Sequence, residues 1–112
     1  MIITLQINCV EGDPEVPCFF ILGDSLVDNG NNNPRATLAK ANYRPYGIDF
    51  PGGIPTGRFN NGRTSADVLG QLLEFDDFIP PFANATDDVI LKGVNYASGA
   101  AGICDETGYQ VV

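Results

Sequence analysis

Two apolar stretches of the chain have the pattern of buried strands. Residues 16–22 are almost continuously apolar and end at Gly23. Such a run, bounded by a turn signal, is typical of a strand buried on both faces of a parallel sheet. A second stretch, over 89–91 and 93–97, has the same character and ends in a turn of small residues at 98–102. The pattern therefore predicts one strand near each end of the chain.

Two helical patterns lie between these stretches. Good helix formers at 35–41 predict a short helix. Over 64–74 the apolar residues recur on one helical face, and Thr64 with Asp67 matches a capping box in which Asp replaces the usual Glu. The order strand, helix, helix, strand predicts an α/β fold with a right-handed crossover, although two strands are fewer than an open parallel sheet needs.

A long segment rich in Pro, Gly and aromatic residues joins the predicted helices at 42–62. Irregular segments of this length usually have a function or pack over a site. Arg58 and Arg63 flank its last turn, where a surface or loop-anchoring role is favoured over substrate binding. The acidic pairs at 76–77 and 87–88 are interpreted as solvated loop charges.

Composition and charge exclude several kinds of chemistry. Six Lys and Arg against fourteen Asp and Glu give a net charge of −8, which disfavours nucleic acids and anionic membranes as partners. The chain has no His, so it offers neither an imidazole base nor a His metal ligand. The Cys residues at 9, 18 and 104 lack metal-ligand spacing, and their disulfide state stays open.

Residues 1–15 are interpreted as a leader ahead of one domain. The opening ten residues lack a basic region, which makes them a poor signal peptide. No apolar stretch reaches the roughly 20 residues of a membrane span. Asn84 and Thr86 form an N-glycosylation sequon, which suggests an extracellular setting, although chance explains so short a motif equally well.

Ser25 is the first candidate for chemistry, because it follows the first predicted strand at the edge where α/β sheets bind ligands. Val27 replaces the last Gly of the hydrolase elbow Gly-x-Ser-x-Gly. The alternative interpretation is that Asp24 and Ser25 cap a helix or turn. The second candidate is the turn at 98–102, whose small residues leave backbone N–H groups open to an oxyanion; tight packing is the alternative explanation.

Five motifs in order resemble the plant-type GDSL-motif esterases/lipases, which are SGNH hydrolases. They lie at 20–33, 41–51, 55–64, 79–82 and 93–103. The resemblance covers roughly residues 16 to 108 and implies a flavodoxin-like α/β/α sandwich. On this basis residues 16–112 are expected to be the N-terminal part of a single esterase/lipase domain, a partial sandwich truncated after the second conserved block.

The resemblance also implies an activity and a site. It implies hydrolysis of carboxylic esters, with Ser25 as the nucleophile that forms an acyl-serine intermediate. The backbone N–H groups of Ser25 and Gly99 would form the oxyanion hole. No metal and no organic cofactor is implied, the substrate would be a small-molecule or lipid ester, and the expected location is secreted or extracellular. Oligomeric state is left open.

Two later blocks of the family pattern have no counterpart in the chain. One supplies an Asn to the oxyanion hole, and the other supplies the orienting Asp and the His base. Because a serine hydroxyl without its base is a poor nucleophile, we expect residues 1–112 alone to have negligible turnover. The alternatives are a non-catalytic truncated relative that binds acyl groups, glycans or a partner, and a fragment that misfolds through its open sheet edges.

Overall fold

The computed structural model describes residues 14–111. Cys9, the signal-peptide interpretation and nearly all of the predicted leader over 1–15 lie outside the described residues. The described part contains helix α1 (Ser65–Leu72), helix α2 (Asp87–Ile90) and two 3₁₀ turns, Phe82–Asn84 and Tyr109–Val111. None of these helices has the length and apolar character needed to cross a membrane.

Helix α1 begins at the capping box that the sequence predicted. The N–H of Asp67 donates to Thr64 Oγ1 at 3.2 Å, and Asp67 Oδ2 accepts the N–H of Thr64 at 2.7 Å. This reciprocal pair satisfies N–H groups that the first turn of a helix leaves without partners. The helix predicted over 64–74 is therefore confirmed, with its regular part at Ser65–Leu72.

Three extended segments run parallel beside α1 without forming regular strands. Ile21 pairs with Asn95, and Asn95 pairs with Pro81, in two isolated parallel bridges. The N–H of Tyr96 donates to the carbonyl of Ile21 at 2.8 Å, and the N–H of Asn95 donates to that of Pro80 at 2.9 Å. The segment around Asn95 thus lies in the middle. The described residues place the two predicted strand regions side by side, and they do not confirm the partial α/β/α sandwich.

One predicted element is absent from the described residues, and part of another has a different structure. Residues 35–41 form bends and irregular backbone instead of a helix, because partners outside this segment take its backbone groups: the N–H of Leu38 donates to the carbonyl of Val111 at 2.6 Å, and the carbonyl of Ala39 accepts from Asn32. Residues 89–90, predicted as part of a strand, belong to α2. The two Asp residues in its first turn favour a helix there through its dipole.

A small apolar core fixes α1 against the extended segments. Ile21, Ala66 and Ile79 are buried together, and three half-buried side chains pack against them. Leu22 and Leu26 lie outside this core, with 80% and 77% of their surface exposed. The core therefore holds the segment that ends at Ile21, and the turn carrying Ser25 continues from its end into solvent.

Candidate active site

Ser25 lies in a tight turn that Asp24 closes. The carboxyl Oδ1 of Asp24 accepts the N–H of Leu26 at 3.0 Å, and the Asp24 carbonyl accepts the N–H of Asp28 at 3.1 Å. The capping role predicted as the alternative thus belongs to Asp24. The Ser25 hydroxyl forms no hydrogen bond with any residue from 14 to 111 and is half-buried. It is consequently available to a ligand.

A cavity of about 400 Å³ brings Ser25 together with the turn at 98–102. Ser25, Ala100 and Ala101 all contribute to its wall. The family resemblance implied that these two turns belong to one site, and in the structure both follow parallel segments that bridge to each other. Among the described residues no acceptor takes the backbone N–H of Ser25 or Ala100. Ser25 and Ala100 are thus among the lining residues whose backbone N–H groups have no described acceptor, and Ser25 adds an unbonded hydroxyl.

Gly99, the predicted second oxyanion donor, lies in this turn with its polar groups already bonded. Its N–H donates to Asp28 Oδ2 at 2.8 Å, and its carbonyl accepts from Asn32 Nδ2 at 2.9 Å. In this conformation the Gly99 N–H would have to leave Asp28 before it could bind an oxyanion.

Buried Asp and Asn side chains fasten the Ser25 turn to the neighbouring segment. Asn31 Nδ2 donates to the carbonyls of Asn95 and Ala97, both at 2.7 Å, and Asn95 Nδ2 donates to the carbonyl of Val27 at 2.6 Å. Asn31 and Asn95 are both buried. Asn and Gly residues at 29–33 are typical of an ordinary polar loop, so their sequence alone does not indicate this role. The feature of the sequence that could have indicated it is the run of Asn residues shortly after Ser25, the candidate nucleophile.

The aromatic loop at 42–62 is anchored through Arg58. Its guanidinium pairs with Asp67 of α1, where Nη2 lies 3.3 Å from Oδ1, and its Cζ is 3.8 Å from the centroid of the Phe50 ring. Arg58 is buried, so the loop-anchoring interpretation is confirmed for it, whereas Arg63 is exposed. The next residue in the loop, Phe59, packs against Gly99 from behind the site.

The remaining candidates lie apart from the Ser25 cavity. Asn84 is exposed at the end of a 3₁₀ turn, where an enzyme could reach its amide. Cys18 is half-buried and Cys104 exposed, and they form no disulfide with each other. The acidic pairs at 76–77 and 87–88 are exposed, as predicted, although the second pair lies in α2 and not in a loop. Across residues 14–111, no three His, Cys, Asp or Glu side chains group as metal ligands would.

Comparison with known proteins finds close relatives along nearly the whole chain. It is 61% identical over 111 residues to GDSL esterase/lipase At5g45670 of Arabidopsis thaliana, which is 99% of this chain and 30% of that protein. GDSL esterase/lipase At1g33811 from the same plant is 65% identical over 94 residues, 84% of this chain and 25% of the relative. The chain thus spans under a third of the length of these relatives. No protein-family profile and no solved structure matches it.

Proposed function

The chain belongs to the plant-type GDSL esterase/lipase family and corresponds to the N-terminal portion of its members, and from this premise we propose that it supplies the nucleophile of a carboxylic ester hydrolase. The observation that carries the proposal is the unbonded hydroxyl of Ser25, which lines a cavity together with Ala100, a residue whose N–H no described residue accepts. A nucleophile beside preorganised N–H groups is the arrangement that acyl transfer requires.

The reaction runs in two steps at Ser25. Its Oγ attacks the ester carbonyl carbon and loses its proton to a base, the alcohol departs with a proton, and an acyl-serine forms. Water then attacks the acyl-serine, and the acid is released as the hydroxyl regains its proton. None of the 112 residues is a His. Because the chain offers no imidazole base, we expect residues 1–112 alone to turn over ester negligibly.

The oxyanion of each tetrahedral intermediate is stabilised by backbone N–H groups. The N–H of Ser25 is free for this role among the described residues. Gly99, the donor that the family pattern implies, can take part only when its bond to Asp28 is exchanged for one to the substrate. The free N–H of Ala100 belongs to the next peptide group of the same turn, the planar trans peptide that joins Gly99 to Ala100.

We assign a small-molecule or lipid ester as substrate and a secreted location. The first rests on the esterase/lipase names of the relatives, and the second on the family and on the exposed sequon at Asn84. Residues 16–112 then form the N-terminal part of one esterase/lipase domain, preceded by the leader at 1–15. No metal or organic cofactor enters this chemistry.

The test uses an extended chimera, in which residues 1–112 replace the matching 111-residue segment of the At5g45670 relative. We expect it to hydrolyse p-nitrophenyl butyrate, and we expect Ser25→Ala to lower kcat by at least about 10⁴-fold, because the nucleophile is lost. The matched control is Ser65→Ala, a change of the same size at an exposed residue of α1, which should leave kcat unchanged. Hydrolysis that survives Ser25→Ala would contradict the proposal.

The same experiment separates the hydrolase from the non-catalytic alternative. If the chimera is folded but inactive, and if the 112-residue chain binds butyrate or an oligosaccharide equally well with Ser25→Ala, then the chain is a binding module. Isothermal titration calorimetry of both forms measures this directly.

A further inference from the structure

Two buried side chains hold Gly99 by its two polar groups. Asp28 has no exposed surface, and its Oδ2 accepts the Gly99 N–H; Asn32 is 2% exposed, and its Nδ2 donates to the Gly99 carbonyl. Asp28 lies three positions after Ser25 in the sequence. Gly99 therefore has its orientation set by the loop that carries the nucleophile.

Each of the two side chains is itself locked in place. The second oxygen of Asp28, Oδ1, accepts the N–H groups of Gly30 and Asn31, both at 2.9 Å. Asn32 Oδ1 accepts the hydroxyl of Ser98 at 2.6 Å, while its Nδ2 also donates to the carbonyl of Ala39 at 2.8 Å. Side chains with every polar atom bonded cannot turn freely, and so they define the position of the group that they hold.

The orientation of Gly99 sets that of the next amide. In a planar trans peptide the N–H points opposite to the carbonyl of the preceding residue. The Gly99 carbonyl points at Asn32, so the N–H of Ala100 points away from Asn32. Asn32 is absent from the wall of the cavity that Ser25 and Ala100 share. Ala100 does line that wall, and no described residue accepts its N–H.

We propose that Asp28 and Asn32 are positioning residues, which hold Gly99 so that the N–H of Ala100 donates to the oxyanion formed when Ser25 attacks an ester. This inference rests on the function proposed above.

Two features around Gly99 cost folding free energy, and such costs are typical of functional sites. Asp28 is a fully buried acid that forms no ion pair with any residue from 14 to 111. An amide would be easier to bury, but only a carboxylate accepts hydrogen bonds on both of its oxygens. Ala100 has a φ of +66°, a left-handed conformation that a residue with a Cβ rarely adopts. Strained backbone of this kind clusters at functional sites, where the surrounding bonds maintain it.

The test compares two isosteric variants of the extended chimera. Asp28→Asn leaves one side of the group unable to accept an N–H, and Asn32→Asp removes the donor that holds the Gly99 carbonyl. We expect each to lower kcat for p-nitrophenyl butyrate by about 10²-fold, the loss typical of one oxyanion donor, with KM changed less than about threefold. The inhibition constant of butylboronic acid, whose tetrahedral adduct on Ser25 places an oxygen at the oxyanion position, should rise by the same factor as kcat falls.

Thr64→Ala serves as the control for stability. It removes the side-chain cap of α1 and lies outside the wall of the Ser25 cavity, so it should lower the urea midpoint while kcat and the boronate constant stay unchanged. If Asp28→Asn does not fold, Asn32→Asp decides, because it acts on the other polar group of Gly99.

The outcomes separate the two proposals. Ser25-dependent hydrolysis with an unchanged boronate constant in both variants would overturn the positioning roles alone. Hydrolysis that persists in Ser25→Ala would overturn the proposed function and this inference with it.

Discussion

Arg58 and Asp67 form an ion pair in which both side chains are almost completely buried, with exposures of 4% and 3%. The Asp67 carboxylate also closes the capping box of α1 by accepting the N–H of Thr64. On the other side, the backbone of Arg58 bridges to Asn29 in the turn that follows Ser25. One arginine thus joins the aromatic loop, the start of α1 and the candidate active site.

Removing this guanidinium should destabilise the fold strongly. Arg58→Met keeps the length of the side chain but leaves the Asp67 carboxylate buried without its cation, and breaking such a pair costs about 3–5 kcal/mol. Arg63→Met is the matched control at an exposed residue, where we expect a change within about 0.5 kcal/mol. Urea unfolding of the extended chimera, followed by circular dichroism, measures both. If the two variants lower the free energy of unfolding equally, the buried ion pair contributes no more to stability than the exposed arginine does.

Helix α1 contains a glycine whose replacement should increase stability. Gly70 is buried, but a Cβ there would meet the Phe19 ring at 3.7 Å, an ordinary contact. Because Ala favours a helix interior over Gly by about 0.8–1 kcal/mol, Gly70→Ala should raise the free energy of unfolding by about that amount. Gly93→Ala provides the contrast, since its Cβ would clash with the Phe19 carbonyl and its φ is +140°. The idea fails if both variants lower the urea midpoint.

The C-terminus of α1 carries a glutamate in a position suited to glycine. The N–H of Glu74 donates to the carbonyl of Gln71 and that of Phe75 to Gly70, both at 3.1 Å, which is the Schellman pattern. Glu74 has a φ of +65°. Glu74→Gly should therefore stabilise the fold by up to about 1 kcal/mol, since it removes a strain of roughly 1–2 kcal/mol and adds some chain entropy to the unfolded state. Glu74→Ala, which removes the charge but keeps the Cβ, should give no comparable gain in the same unfolding assay.

The sequence predicts the local features of this molecule well. The start of α1 depends on Thr64 and Asp67, which are three residues apart and bind each other, so their spacing is sufficient evidence. The proximity of Ser25 to the turn at 98–102 is not a local feature, and it was indicated only by the family resemblance, which assigns both to one oxyanion hole; in the structure both turns line one cavity.

Features that depend on distant partners are not visible in the sequence. The helix predicted at 35–41 is replaced by bends and irregular backbone, because the carbonyl of Val111, more than seventy residues away, takes the N–H of Leu38. Likewise, an Asn run is compatible with any polar loop, and only the fold shows that Asn32 reaches Gly99. The bond from Gly99 to Asp28 is of the same kind, and it changes which amide is free beside Ser25.

Gly99 packs closely against Phe59 beside the candidate site. A Cβ on Gly99 would lie 2.5 Å from Phe59 Cζ and 3.0 Å from Asn32 Nδ2, whereas its φ is not in the left-handed region, so the obstacle is steric. Gly99→Ala should therefore cost about 1–3 kcal/mol in the urea assay, as overpacking typically does. Phe59→Leu in the same chain removes the ring edge and should restore part of the loss. Gly62→Ala is the control, since its Cβ would meet only ordinary contacts at 3.5 Å or more. If Phe59→Leu and Gly99→Ala destabilise additively, the two residues do not interact as the packing indicates.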